Sequence, residues 1–414
     1  MTTARPHIVV LHRWRARYAH YERYIDHREH AVTYVTTDVG TKGVPTEAAE
    51  VVVVPTTEDL ALVRKEVDGL ASRHGHPRSV VALKEDDLLV AAELAQEWGC
   101  PGRCPGELAA FRDKYLMANA VRRAGLAVPA TREAAGPTEV RAFAEGHGWP
   151  VVLKPRVGSS SEGVVRLDSE AGLPALRFTA DRPLIVQAHN PWPVYHVDGI
   201  FDGQEVLCLR ASRYLNTCLD FRGGSTLGSV EEDRPALNQA IGRFTADVLR
   251  ALTSLPMPFH LEVFVRTAGA DAPACTFLEV GARVGGAEIP LLWRDVHGYD
   301  LMEAAFRIAI GLPPQPCPPT VETGPEIGGW LLAPAPADRP CAITDITPMT
   351  GREPGPYAED LLSVGDVLPD AAAYYEHVGG RFRFRGRSSA DVESAISSTA
   401  RDFRVTGETC GGMR

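Results

Sequence analysis

The chain has 414 residues, 44% hydrophobic and 23% charged, with a formal net charge of −10: an ordinary globular composition, long enough for two or three domains. Its acidic balance argues against a surface built for nucleic acid or anionic membrane, because both need clustered positive charge. The apolar run in MTTARPHIVVL is too short and too soon broken by charge for a signal peptide or a membrane span, so a cytoplasmic protein is expected.

Eight cysteines are scattered at positions 100, 104, 208, 218, 275, 317, 341 and 410. They form no zinc-type pair of pairs, and a cytoplasmic chain is expected to keep them as reduced thiols. Of the 43 basic residues only five are lysines: Lys42, Lys65, Lys84, Lys114 and Lys154. Arginine is the default cation, so a persisting lysine marks a place where a compact point charge on a flexible stem is wanted.

His7 to Leu11, Ala31 to Val35, Val51 to Val54 and Val80 to Leu83 read as strands, while Glu58 to Arg73 and Asp86 to Trp98 have helical spacing. This alternation predicts a small parallel α/β unit. The turn His12-Arg13-Trp14-Arg15 holds no glycine to admit a pyrophosphate, which argues against a dinucleotide fold and hydride transfer. Gly106 to Gly125 predicts a helix containing Asp113-Lys114 and stopped by its last glycine. Trp149 to Pro155 is a strand that ends in Lys154, followed by Gly158-Ser-Ser-Ser-Glu-Gly163 and a returning strand from Val164 to Leu167. Such a loop is either an ordinary hairpin turn or a run of backbone N–H groups that cradles phosphate, and the lysine before it favours the second.

Leu184 to Gln187 and Val194 to Phe201 are further strands, the latter with His196 and Asp198 on its polar alternation. In Phe259 to Val265, His260 and Glu262 share one face while Leu261, Val263 and Val265 share the other. Thr276 to Val280 presents Glu279 the same way and runs into Gly281-Ala-Arg283-Val-Gly-Gly286. On adjacent antiparallel strands two bare carboxylates about 5 Å apart would repel by roughly 3 kcal/mol at an effective dielectric near 20. Two readings stay open: Mg²⁺ between them, or an arginine on each. Arg283 is likewise either a surface arginine or a fork that holds a carboxylate and then the charge developing on acyl oxygens. Asp300 to Ile310 predicts a helix capped by Asp300. Gly311 to Pro319 is a proline-rich linker, and strands near Gly329 to Ala333 and Gly380 to Phe384, with a helix near Ser389 to Phe403, predict a small α/β appendage.

The order of parts (helix lysine, strand lysine, Gly/Ser loop, strand pair, two glutamate strands, glycine-flanked arginine) and the stretch Phe277-Leu-Glu-Val-Gly-Ala-Arg-Val-Gly-Gly-Ala-Glu-Ile-Pro290 resemble the carboxylate–amine ligases of the ATP-grasp superfamily, the L-amino-acid ligases and dipeptide synthetases. The resemblance covers nearly the whole chain and implies a mixed α/β and α+β fold. Residues 1–105 would form an α/β domain preceding the ATP-grasp core, 106–187 and 188–312 its two subdomains, and 313–414 the linker and appendage. It implies that Lys114 and Lys154 contact the phosphates of ATP under a mobile loop made of Gly158, Ser159, Ser160, Ser161 and Gly163. The adenine hinge would be Gln187 and Ala188, with further nucleotide contacts from the strand of His196 and Asp198. Magnesium would sit on Glu262 and Glu279, and Arg283, with Lys154, would steady an acyl phosphate. Val194 stands where many members carry a ribose-binding glutamate, and Gly281 where they carry an asparagine metal ligand. The implied activity is ADP-forming amide synthesis from a small carboxylate and an amine, without nucleic acid or membrane partners; a homodimer is compatible with it. Two alternatives remain: the same fold with another acceptor, as in carboxylases or thiol ligases, and a nucleotide-binding module without chemistry.

Overall fold

The computed structural model describes residues 5–14, 18–159, 161–267, 273–319, 321, 324–369 and 378–410. Ser160 and the extreme C-terminal residues fall outside them.

Near-continuous runs of β-branched residues, suited to burial on both faces, build the first sheet. Strands β1 (His7–His12), β2 (Ala31–Thr36), β3 (Glu50–Val53) and β4 (Pro77–Ala82) lie parallel in the order β3-β2-β1-β4. Helices Leu60–His74 and Leu88–Glu97 cover one face through Val63, Val67, Leu70 and Leu94. Asp59 fixes the start of the first helix, its carboxylate accepting from the N–H groups of Ala61 and Leu62. On the other face Val10, Tyr34 and Val81 pack with Met302 and Phe306 of helix Leu301–Ala309, which ties this unit to the rest of the chain. The order reverses beside β1, so the carboxyl ends of β1 and β4 flank a topological switch point.

The second sheet is antiparallel, with β5 (Thr131–Ala134), β6 (Val151–Pro155), β7 (Val165–Leu167) and β8 (Leu184–Ala188) in the order β5-β8-β6-β7. The third has eight strands. It joins β9 (Val194–Phe201), β10 (Val206–Tyr214), β11 (Leu227–Glu231), β12 (Met257–Arg266), β13 (Ala274–Gly281), β14 (Ile327–Pro334), β16 (Ala358–Leu361) and β18 (Val378–Gly386) in the order β13-β12-β9-β10-β11-β14-β18-β16. A small sheet of β15 (Cys341–Ile346), β17 (Val367–Leu368) and β19 (Val405–Thr409) completes the chain. The mixed α/β and α+β architecture is as expected.

Several local expectations change. The helix over Gly106 to Gly125 is two helices, Pro105–Arg112 and Lys114–Arg123, because Asp113 between them is extended (φ −93°, ψ 106°) and caps the second through the N–H groups of Tyr115 and Leu116. An aspartate offers the backbone this alternative to helix continuation. The expected C-terminal appendage is not separate from the large sheet: β14 pairs with β11, and β18 and β16 extend the same ladder. Helix Pro235–Leu252 packs Leu237, Ile241, Val248 and Leu249 on that sheet, against Val197, Leu261 and Val263. Cys208 on β10 and Cys317 in the proline-rich linker form a disulfide, with Cα atoms 6.1 Å apart, instead of remaining free thiols. Their separation of 109 residues hides that pairing from any reading by spacing. Among the described residues no helix is long and apolar enough to cross a membrane.

Gly199 reports on the tightness of the central strand β9. A Cβ there would lie 2.1 Å from the Cys208 carbonyl oxygen and 2.9 Å from Cζ of Phe259. Backbone in mid-sheet cannot give way as a side chain can, so Gly199→Ala is expected to lower the unfolding free energy by about 3 kcal/mol, read from a urea midpoint.

Candidate active site

A cavity of about 580 Å³ opens between the four-stranded and eight-stranded sheets. Its geometry starts from strand register. Antiparallel pairing of β12 with β13 sets Glu262 directly opposite Glu279, while alternation sends Leu261, Val263 and Val265 into the core below. Both carboxylates line the cavity. Lys114, at the first turn of helix Lys114–Arg123, brings Nζ to 3.4 Å from Glu279 Oε2. Glu262 Oε1 accepts the Tyr214 hydroxyl at 3.0 Å and lies 3.7 Å from His260 Nε2. The positive groups beside the pair are therefore a lysine and a histidine, with Lys154 close behind.

Lys154, next to last in β6, has only 4% of its surface exposed. Burial lowers its ammonium to about 8, against the pull of Glu279 and with help from the like charge of Lys114. Burial works against charge on Glu262 too, but the adjacent His260 ring and the hydrogen bond from Tyr214 hold it below the usual carboxylate range.

The Gly/Ser loop lies over these groups. Lys114 Nζ donates to the Gly158 carbonyl at 2.7 Å, and Gly158, Ser159 and Ser161 line the cavity. Gly158 (φ 152°), Gly163 (φ 70°) and Ser161 (φ 55°) all have positive φ, which glycine adopts without strain. Gly163 serves the turn and not the cavity wall: a Cβ there would meet Arg182 Nη2 at 2.9 Å and Pro155 Cγ at 3.1 Å. At the far end Gln187 and Ala188 line the cavity beside an apolar slot of Val152, Val164, Phe264 and Leu278. Gln187 Nε2 donates to Thr131 Oγ1 at 2.9 Å. Val194 also faces this space.

Two sets of expected site residues stand apart from this cavity lining. His196 and Asp198 are 2% and 1% exposed and lie outside the cavity lining. Their alternation does place them on the same sheet face as Glu262, but Tyr214 and Trp330 lie against the His196 ring, at centroid distances of 4.8 and 6.2 Å. Their polar atoms bond one another and Ser229. Arg283 does not line this cavity either. Its Nε donates to Glu85 Oε2 at 2.7 Å and its Nη1 to the Val284 carbonyl at 3.0 Å, and it borders a neighbouring, mostly apolar cavity of about 350 Å³.

Glu85 is the residue missed from sequence, while Tyr214 and Cys218 join the cavity wall. Burial opposes charge on Glu85, yet Arg283 and Arg112 hold its carboxyl down at about 2; Arg112 Nη1 lies 2.7 Å away. Glu85 follows β4 at the carboxyl ends of a parallel sheet, beside its switch point, a position that could have flagged it. Cys218 lines the cavity, and burial together with the nearby Glu262 and Glu279 charges pushes its thiol far up.

An apolar slot, paired oxygen ligands and two lysines under a glycine-bearing loop can hold a flat base, a hard cation and phosphate oxygens together. No protein-family model matches the chain. A D-alanine–D-alanine ligase from Streptomyces griseus is 35% identical over 139 residues, so the chain spans about a third (32%) of the length of this curated relative, and the match covers 32% of the chain. Among solved structures, the L-amino acid ligase from Bacillus licheniformis aligns with a TM-score of 0.74 at 16% identity, covering 98% of this chain and 100% of that one. Carboxyaminoimidazole ribonucleotide synthase from Aspergillus clavatus, complexed with ATP, aligns with a TM-score of 0.68 at 14% identity, over 97% of this chain and 100% of that one. The likeness along the whole chain is one of fold, and the likeness of sequence is confined to the 139 residues shared with the curated ligase.

Proposed function

We propose that the chain is an ADP-forming ligase that joins a small carboxylate, such as that of an amino acid, to an amine by way of an acyl phosphate. The observation that carries this reading is Glu262 directly opposite Glu279 at a cavity also walled by Lys114 and Lys154. The base of ATP would lie in the slot beside Gln187 and Ala188. Its phosphates would meet Lys114, Lys154 and the loop N–H groups. Two carboxylates with room for phosphate oxygens and water suit Mg²⁺, which when bound neutralises phosphate charge and aligns the γ-phosphoryl group.

In the first step a substrate carboxylate oxygen attacks the γ-phosphorus, the bond to the β-phosphate oxygen breaks, and ADP departs. An amine then attacks the acyl carbon, the carbon–oxygen bond to phosphate breaks, and the amine loses a proton. Lys154 stabilises charge spread over the transferring phosphoryl oxygens. Arg283, clamped by Glu85, would reach the acid from the side of residues 1–105, with 106–187 and 188–312 closing on the nucleotide and 313–414 completing the large sheet. Assaying ADP release with pooled amino acids tests the reading: turnover is expected only when acid and amine are both present. Release driven by bicarbonate alone, or no substrate-dependent release from any acid–amine pair, would overturn it.

The position of Lys154 gives a pH signature. Without ligand its ammonium loses its proton near pH 8, whereas bound triphosphate favours the charged form. Nucleotide binding at pH 8.5 is therefore expected to take up part of a proton, visible as buffer-dependent calorimetric enthalpy. The uptake should vanish in Lys154→Arg, whose guanidinium stays charged throughout.

A further inference from the structure

Asp198, unused by the mechanism above, is the most completely buried carboxylate beside the site, at 1% exposure. Each of its oxygens is taken by a different imidazole: His196 Nδ1 at 2.6 Å and His260 Nδ1 at 2.8 Å. Strand pairing dictates this contact, since β9 and β12 run antiparallel with Asp198 opposite His260 and His196 opposite Glu262. The outer nitrogen of His196 meets Ser229 Oγ at 2.6 Å. The outer nitrogen of His260 faces Glu262 Oε1 at 3.7 Å. A hydrogen-bonded row thus runs from Ser229 through His196 and Asp198 to His260, whose outer nitrogen stands at ion-pair distance from the glutamate that walls the nucleotide cavity.

The same carboxylate supports a second part of the site. A Cβ at Gly285 would stand 2.3 Å from Asp198 Oδ1 and 3.0 Å from His260 Nδ1. The turn that begins two residues after Arg283 is therefore seated directly on the Asp198–His260 pair. Although donor atoms of His196, Asp198 and His260 lie within 4.8 Å of one another, they are not arranged as an ion site. Both carboxylate oxygens already accept ring N–H groups, so the unit orients its neighbours through hydrogen bonds.

We infer that Asp198 is a positioning residue: by gripping His260 and seating the Gly285 turn, it fixes where Glu262 and Arg283 stand relative to the metal and phosphates. The inference rests on the nucleotide and magnesium reading above. A carboxylate that fixes an imidazole, which in turn orients a ligand, is how outer groups tune metal sites, and losing one typically costs 10–100-fold in metal affinity. Asp198→Asn keeps the shape but replaces one acceptor oxygen with a donor that faces an N–H.

The test measures ATP-dependent Mn²⁺ binding by electron paramagnetic resonance of the free ion, beside thermal melting. Asp198→Asn is expected to weaken Mn²⁺ binding at least tenfold, with ATP affinity at saturating metal within about threefold of wild type. Ser229→Ala, which loosens only the far end of the row and leaves the carboxylates intact, should weaken it by a factor of about two to five and answers the question if Asp198→Asn does not fold. A lowered melting temperature with Mn²⁺ affinity unchanged in the folded variant, or no change in Ser229→Ala where that variant alone is folded, would overturn the inference. Failure of the wild-type chain to bind Mn²⁺ with ATP would instead overturn the nucleotide reading itself.

Discussion

Replacing Lys154 with methionine is expected to cut ADP release by about 10²–10³-fold while leaving the unligated protein at least as stable as wild type. The two halves have one cause. Lys154, next to last in β6, is almost fully buried, and burial lowers its ammonium from an ordinary value near 10.5 to about 8, with Glu279 only partly compensating. Because the folded value lies below the unfolded one, the unfolded chain holds more protons between those limits, so stability rises with pH across that window and the cost is complete below pH 8. At pH 7 the gap corresponds to roughly 3 kcal/mol of destabilisation. Methionine keeps the apolar stem and removes the buried charge, so the melting temperature of the free protein should hold or rise. Transition-state charge on the phosphoryl oxygens then loses a donor of the kind worth about 3–4 kcal/mol. Turnover within tenfold of wild type would remove Lys154 from the phosphate site, and a sharp fall in melting temperature would make it a structural residue.

What was legible in the sequence follows strand period and charge pattern. The alternation of Phe259 to Val265 is enough to put His260 and Glu262 on one face, and β12–β13 pairing delivers Glu262 to Glu279. The scarcity of lysine draws attention to five positions, of which Lys114 and Lys154 line the cavity. What failed depends on partners far along the chain. Leu227–Glu231 is buried at every position yet contains Gly, Ser and Glu, residues that weaken a strand signal unless a neighbouring strand supplies the pairing. With β10 and β11 unrecognised, nothing in the sequence indicates that Tyr214 and Trp330 lie against His196, so its polar alternation reads as ligand-facing. Arg283 illustrates the same limit: its partner Glu85 lies 198 residues earlier and meets it only because the first sheet docks on helix Leu301–Ala309. Helix Pro235–Leu252 is different, since its buried Leu237, Ile241, Thr245, Val248 and Leu249 follow helical spacing behind a proline in its first turn, a signal available from sequence alone.

The second large effect concerns the carboxylate pair. Glu262→Gln and Glu279→Gln each keep volume and hydrogen-bonding capacity while removing one charge, so they separate a metal role from a packing role. Glu279 has Lys114 at 3.4 Å and Glu262 has Tyr214 at 3.0 Å, and a glutamine oxygen can still accept from either group. The folded state should therefore change little. Metal binding should not survive so well, because Mg²⁺ is held by one or two carboxylates together with substrate oxygens and water, and losing one leaves an incomplete set. Each variant is expected to raise the free Mg²⁺ needed for half-maximal ADP release by at least tenfold and to lower the maximal rate by about 10²-fold or more. If both glutamates serve one cation, their effects will not add: Glu262→Gln combined with Glu279→Gln should fall within about tenfold of the worse single variant, as for residues that act as a unit. Fully multiplicative losses would mean that the two carboxylates act on separate groups. An unchanged Mg²⁺ dependence in Glu279→Gln would leave the opposed pair neutralised by Lys114 and His260 alone, and the metal would have to lie elsewhere.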